Sequence, residues 1–265
     1  NNYICDCYKK NYQNNMKKLI YLLIGATVIL SSCGGDKKDD NKTAKVAKGD
    51  VKYGGVFKAN ETEDFKSLYP LNVTMAIEQR IANQVYQGLV KLDQEDLSII
   101  PSLAESWDVN EDATSFTFHI RKGAMFHDNA CFKDGKGREV KASDFKFCFD
   151  KICESSPNNQ MYWVFKDRVK GANEYYESVN NKTPLEGGVE GVKVIDDYTI
   201  QIDLKYSFSG FLNIISHNAC WVYPKEALDM YGVEMRINAI GSGPFRVKKI
   251  KESETVILEA NPDYW

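Results

Sequence analysis

The chain has 265 residues, of which 43% are hydrophobic and 27% charged, enough for one large domain or two modest ones around a real core. Its formal net charge is −3, and Lys9, Lys10, Lys17 and Lys18 near the start face only Asp6, so the rest is more acidic than the whole. An acidic body with no basic stripe to neutralise phosphates argues against nucleic acid as a partner.

Residue 1 is Asn, and residues 1–15, "NNYICDCYKKNYQNN", show no periodicity, cap or turn logic. They are expected to be an upstream extension, with Met16 as the true start. Lys17 and Lys18 then precede an apolar run from Leu19 to Leu30. That run is too short for a bilayer, which needs ~20 apolar residues, and it fits the core of a signal peptide over 16–32. Ser31 and Ser32 lead into Cys33, and "LSSC" resembles the lipobox of bacterial lipoproteins. The resemblance implies cleavage before Cys33 and lipid on its sulfur, which anchors a protein to a membrane without spanning it. Residues 33–52 read as a charged tether too polar to fold. Their acidic and lysine run also resembles surface-export signals of some Gram-negative groups, although a plain linker explains it as well.

Further on, Val56 and Phe57 suggest a short strand, and "SLYPLN" is a Pro-bearing turn. Ile77, Ile81, Val85 and Leu89 recur at fours and predict a helix, with Gly88 as its stopping point. "IIPSLAESWDVNEDATSFTFHIRKGAMFHD" predicts a β ribbon with Phe116, Phe118 and Ile120 on one face and Thr117, His119 and Arg121 on the other. A second helix is expected from Ser143 as N-cap, with Phe145, Cys148, Phe149 and Ile152 inward. A third is expected through "VFKDRVKGANEYYESV". Two strands follow in "VEGVKVIDD" and "YTIQIDL", then the apolar "SGFLNIISHNACWVYP" and a short helix in "KEALDMYG". Gly241-Ser242-Gly243-Pro244 is a turn, and Phe245 to Glu259 reads as two strands. Strands mixed with helices imply an α/β or α+β fold.

Chemistry is scarce. There are only three His residues, His119, His127 and His217, and neither His119 nor His127 has Cys or carboxylate neighbours at metal-ligand spacing. No GxSxG elbow, HExxH or P-loop occurs, and the carboxylate pairs Asp39-Asp40 and Asp196-Asp197 read as solvated tether and turn. No catalytic residue, metal site or cofactor is expected. An exported chain meets an oxidising compartment, which leaves Cys131, Cys148, Cys153 and Cys220 as free buried thiols or as one or two disulfides. Phe116, Phe118, Phe145, Phe149 and Trp107 read as packing.

The order of motifs says more than any one of them. "SLYPLN…QVYQGLVKLD", "PSLAESWDVNEDATSFTFHIRKGAMFHD", "VKASDFKF", "GVKVIDDYTIQIDL" and "GSGPFRV…VILEANPDYW" follow one another from about Tyr53 to Trp265. This order resembles the family 5 bacterial extracellular solute-binding proteins, the receptors of oligopeptide and dipeptide ABC importers. The resemblance implies an α/β fold of the periplasmic binding protein type II-like kind, with two lobes closing on a ligand and an extra small domain. It implies that 53–87 and 225–265 belong to lobe I and 88–224 to the small domain. Members of that family are longer, so the second lobe and the rest of lobe I are expected beyond Trp265. A chain of this extent alone is then expected to bind little peptide and to aggregate.

The resemblance also places Thr74, Met75 and Ala76 beside the ligand's main chain. Peptide receptors often carry an acid where this chain has Thr74. "SSPNNQMYW" matches a loop reaching the cleft, with Asn158 where an aromatic is found in well-known peptide binders, and Tyr162 and Trp163 close by. Trp221, near the boundary between small domain and lobe, reads equally as ligand contact or packing. The expected function is a monomeric receptor, lipid-anchored through Cys33 to the cell envelope, that passes peptide to an ABC permease. The same fold carrying a nickel chelate, haem or an oligosaccharide is an alternative, as is a surface adhesin or chaperone.

Overall fold

The computed structural model describes residues 54–265. The expected extension, signal peptide, Cys33 and tether lie outside the described residues. The chain divides after Lys58, and residues 54–58 carry no strand. The strand expected at Val56 and Phe57 is therefore corrected: neither has a ladder partner among the described residues, and a strand exists only through such pairing.

In the unit from Ala59 onward, the fourfold repeat of isoleucines and Val85 forms α1 (Ala76–Val85). Ile77 and Val85 are buried and Ile81 is half-buried. The helix ends before the expected stop at Gly88, because Tyr86 turns to the extended φ −105°, ψ 157°. Gly88 serves close packing instead: a Cβ there would stand 3.4 Å from the Cys220 carbonyl oxygen.

β1 (Val90–Leu92) and β2 (Ile99–Pro101) make a short antiparallel pair. β3 (Ala104–Val109) and β4 (Ser115–Ile120) form the predicted ribbon. β4 also pairs with β6 (Thr199–Asp203), and β5 (Val192–Asp196) closes an antiparallel sheet of order β3-β4-β6-β5. Phe116, Phe118, Ile120, Ile200, Ile202 and Leu204 are all buried on one face. The opposite face is wet, and there His119 Nε2 meets Asp108 Oδ2 at 2.9 Å.

α2 (Ala142–Ile152) covers the apolar face with Phe145, Cys148, Phe149 and Ile152, each fully buried. The Phe and Ile side chains among them contribute roughly 1.5–3 kcal/mol each when withdrawn from water. Ser143 is not the N-cap: Lys141 holds that place and Ser143 sits inside the first turn. Asp144 makes the difference, because its carboxylate accepts the Lys141 N–H at 2.9 Å and is gripped by the Arg138 guanidinium at 2.7 and 2.9 Å. The third helix, α3, is shorter than expected, at Ala172–Asn180. Tyr162–Val164 makes a separate tight turn, and Gly171 at φ 75° breaks any continuity between them.

α4 (Phe211–Ile215) drops Phe211 into the core, 5.0 Å from the ring of Phe116. α5 (Lys225–Tyr231) follows, and its Glu226 takes the other side of the Arg138 fork at 2.6 and 2.9 Å. β7 (Phe245–Lys251) and β8 (Thr255–Ala260) form an antiparallel hairpin. The turn before it lies against the end of α1, where the Gly243 N–H donates to the Val85 carbonyl at 2.8 Å.

Among the described residues, Cys131, Cys148, Cys153 and Cys220 form no disulfide with one another, and burial pushes the Cys131 thiol up to about 11. No helix among the described residues is long and apolar enough to cross a membrane.

Candidate functional site

The turn Pro70–Asn72 leads into the extended Val73–Met75 segment and then into α1. Three side chains that sequence reasoning did not single out hold this stretch in place. Glu78 is 1% exposed, and its Oε2 accepts the N–H groups of Thr74 at 2.8 Å and Met75 at 2.9 Å. Its Oε1 accepts those of Lys66 at 3.0 Å and Ser67 at 3.1 Å. From the other side, buried Asn218 donates through Nδ2 to the carbonyls of Pro70 at 3.2 Å and Val73 at 3.1 Å. Asn159 ties down the loop after α2, donating to the carbonyls of Lys151, Ile152 and Glu154 and accepting the Met161 N–H. Gln160 N–H then bonds the Leu71 carbonyl at 2.9 Å, which docks that loop on the turn.

These bonds bring three distant parts of the chain together: 70–76, 156–163 and 217–221. Thr74 and Ala76 are exposed and Met75 is half-buried. Among the described residues, the Thr74 carbonyl and the Ala76 N–H have no protein partner, whereas the N–H groups of Thr74 and Met75 are taken by Glu78. Trp163 is 47% exposed, and its ring stands edge-on to His217 with centroids 5.2 Å apart. His217 Nδ1 accepts the Ala219 N–H at 3.2 Å, which puts the ring proton on Nε2. Burial holds the His217 imidazolium below its ordinary range, so the ring is a neutral donor at neutral pH.

The remaining candidates are placed differently. Tyr162 turns toward α3, stacked on Tyr176 at 3.9 Å and donating to Asn173 Oδ1 at 3.0 Å. Trp221 is 8% exposed and stacks on Tyr86 at 6.0 Å. Asn158 is exposed and lines a separate cleft of about 360 Å³ with Tyr69, Asn72, Lys151, Glu154 and Arg236. The Lys151–Glu154 pair, at 2.8 Å, crosses that cleft's wall and makes it polar. Glu78 had a legible signal, since an acid in a helix's first turn commonly reaches back to free N–H groups. Asn159 and Asn218 had only the general habit of Asn to bond main chain in loops.

Main-chain groups held ready at the mouth of a helix, on a segment braced by the Asn218 that follows the His217 imidazole in sequence, suit the gripping of a solute. Among the described residues, no group of three or more His, Cys, Asp or Glu side chains is arranged for a metal ion. Fold and face together describe a solute-binding protein of the periplasmic, type II-like class. Residues 98–265 match the bacterial extracellular solute-binding proteins, family 5 (Middle), and the chain belongs to that family. It is 29% identical over 203 residues to the glutathione-binding protein GsiB of Pectobacterium atrosepticum, covering 76% of this chain and 33% of that one. With the dipeptide-binding protein of Escherichia coli it shares 31% identity over 186 residues, covering 68% and 32% respectively. The solved DppA of Helicobacter pylori, in complex with the peptide STSA, superposes with a TM-score of 0.63 at 25% identity, over 76% of this chain and 38% of that one. The chain thus spans about a third of the length of these curated relatives.

Proposed function

We propose that this chain is part of the substrate-binding protein of an ABC importer, one that captures short peptides and hands them to a membrane permease. The observation that carries the reading is the braced segment at Thr74–Ala76 with one carbonyl and one N–H left over. Every peptide offers the same main-chain groups, so such an edge binds peptides without demanding one sequence. The relatives named for dipeptide and for glutathione, itself a short peptide, support the same class of ligand.

Thr74, Met75, Ala76 and Trp163 form the ligand-facing set in this reading, while Asn158 lines the separate polar cleft beside it. Tyr162 and Trp221 back that face through their stacking partners. Residues 53–87 and 225–265 make up lobe I, and 88–224 the small domain. The main-chain bond from Gly243 to Val85 supports joining the two stretches of lobe I. The whole protein acts as an exported monomer, tethered to the envelope by lipid on Cys33. Native mass spectrometry of the protein isolated from the cell envelope tests the cargo. Short peptides are the expected passengers; a sugar, haem or a nickel chelate in their place overturns the choice.

A further inference from the structure

Glu78 is almost fully buried, yet it sits between two stretches of main chain and bonds neither a cation nor a side chain among the described residues. One oxygen gathers Lys66 and Ser67, and the other gathers Thr74 and Met75, at 2.8 to 3.1 Å. A carboxylate engaged by four N–H groups fixes both stretches far more tightly than neutral contacts do, because charge-assisted bonds are about twice as strong. Helix α1 gains as well, since an acid in its first turn complements the positive end of the helix dipole.

The arrangement has a consequence for recognition. An extended segment free on one side offers N–H and C=O groups to any chain beside it. Here Glu78 draws two successive N–H groups, those of Thr74 and Met75, to the inside. What is left is the carbonyl of exposed Thr74 and the N–H of exposed Ala76. The Met75 backbone between them is extended, at φ −96° and ψ 151°.

We infer that Glu78 is a positioning residue for peptide capture: it selects which main-chain groups of the 74–76 segment face the ligand, one acceptor and one donor. The inference rests on the peptide-binding reading above. It assigns the ligand's main chain one bond to each group and none to the N–H of Thr74 or Met75.

The test uses the intact protein with trialanine as probe, followed by residue-resolved amide exchange and calorimetry. Without trialanine, the N–H groups of Lys66, Ser67, Thr74 and Met75 are protected and that of Ala76 is not. With it, Ala76 gains protection and the four others stay as they were. A gain at Thr74 or Met75 equal to that at Ala76 overturns the inference without any variant.

Two substitutions separate the inference from the reading beneath it. Ala76→Pro deletes the free donor at a position where proline fits, the first residue of a helix after an extended neighbour. It weakens trialanine binding about fivefold to tenfold, the worth of one net hydrogen bond, and leaves exchange at residues 66–75 unchanged. Glu78→Gln sets an NH₂ group against two N–H donors; it raises exchange in one of the two stretches and weakens binding at least as much. If Ala76→Pro weakens binding and Glu78→Gln raises exchange without weakening it, Glu78 has no positioning role and the binding face stands. If the wild-type protein ignores trialanine, the peptide reading itself falls.

Discussion

His127 is buried, with one ring nitrogen satisfied and the other not. Its Nε2 lies 2.9 Å from the Gly243 carbonyl, which can only accept, so the ring proton sits on Nε2. Nδ1 is buried and has no partner among the described residues, which suits a neutral ring and punishes a second proton. Burial accordingly holds the group below its ordinary 6.5. The unfolded chain then takes up protons first, so this contribution to stability is complete above about pH 6.5 and is lost as pH falls toward the folded value. Urea unfolding across that range is expected to show the decline, and His127→Gln, which keeps a donor but cannot titrate, to flatten it. None of this was legible in "MFHDNA", because the partner lies 116 positions away. The same holds for Asn218, which reaches Pro70 and Val73 from 148 and 145 positions off.

Among the elements, the strands of the four-stranded sheet were legible, but the strand read at Val56 and Phe57 is not there, β1 was not foreseen, and the helix ends were misplaced. Alternation alone put Phe116, Phe118 and Ile120 on one face, and the pairing with β6 adds Ile200 and Ile202 to it. Helix limits depend on side chains that bond across the fold. Asp144, held by Arg138 and returning to Lys141, starts α2 ahead of the Ser143 that pattern preferred. The "GSGP" turn was recognised as a turn but not as a joint. A Cβ on Gly241 would stand 2.2 Å from the Val85 carbonyl oxygen, at the end of α1. Backbone on both sides cannot retreat as a side chain would. Gly241→Ala is therefore expected to destabilise the protein by roughly 1–3 kcal/mol, the usual range for overpacking, as read from chemical unfolding.

At the scale of the whole molecule, the order of short motifs identified the family although no single motif did. The matched region, residues 98–265, covers most of the stretches that carried the resemblance. The candidate face was only half visible. Its segments were named from the resemblance, but the bracing by Glu78, Asn159 and Asn218 and the pairing of His217 with Trp163 emerge only when distant loops meet. The anchor proposed at Cys33 belongs to this scale too, since it decides where the molecule works. Cys33→Ser is expected to move the protein from the membrane fraction to the soluble fraction and to abolish labelling by radioactive palmitate. Retained labelling would place the lipid on another residue and remove Cys33 as the anchor site.

Of the four tryptophans, Trp107 and Trp265 are partly covered, Trp221 is buried, and Trp163 alone is exposed. That asymmetry gives the molecule an optical gauge of its own. The solvent-relaxed, red part of its emission comes mainly from one indole, set edge-on to the imidazole that precedes the bracing Asn218 in sequence. A solute settling over that ring would shift its colour toward the blue, and a proton arriving on His217 would dim it. Occupancy and acidity at the same face can thus be read as separate signals from unlabelled protein in a cuvette.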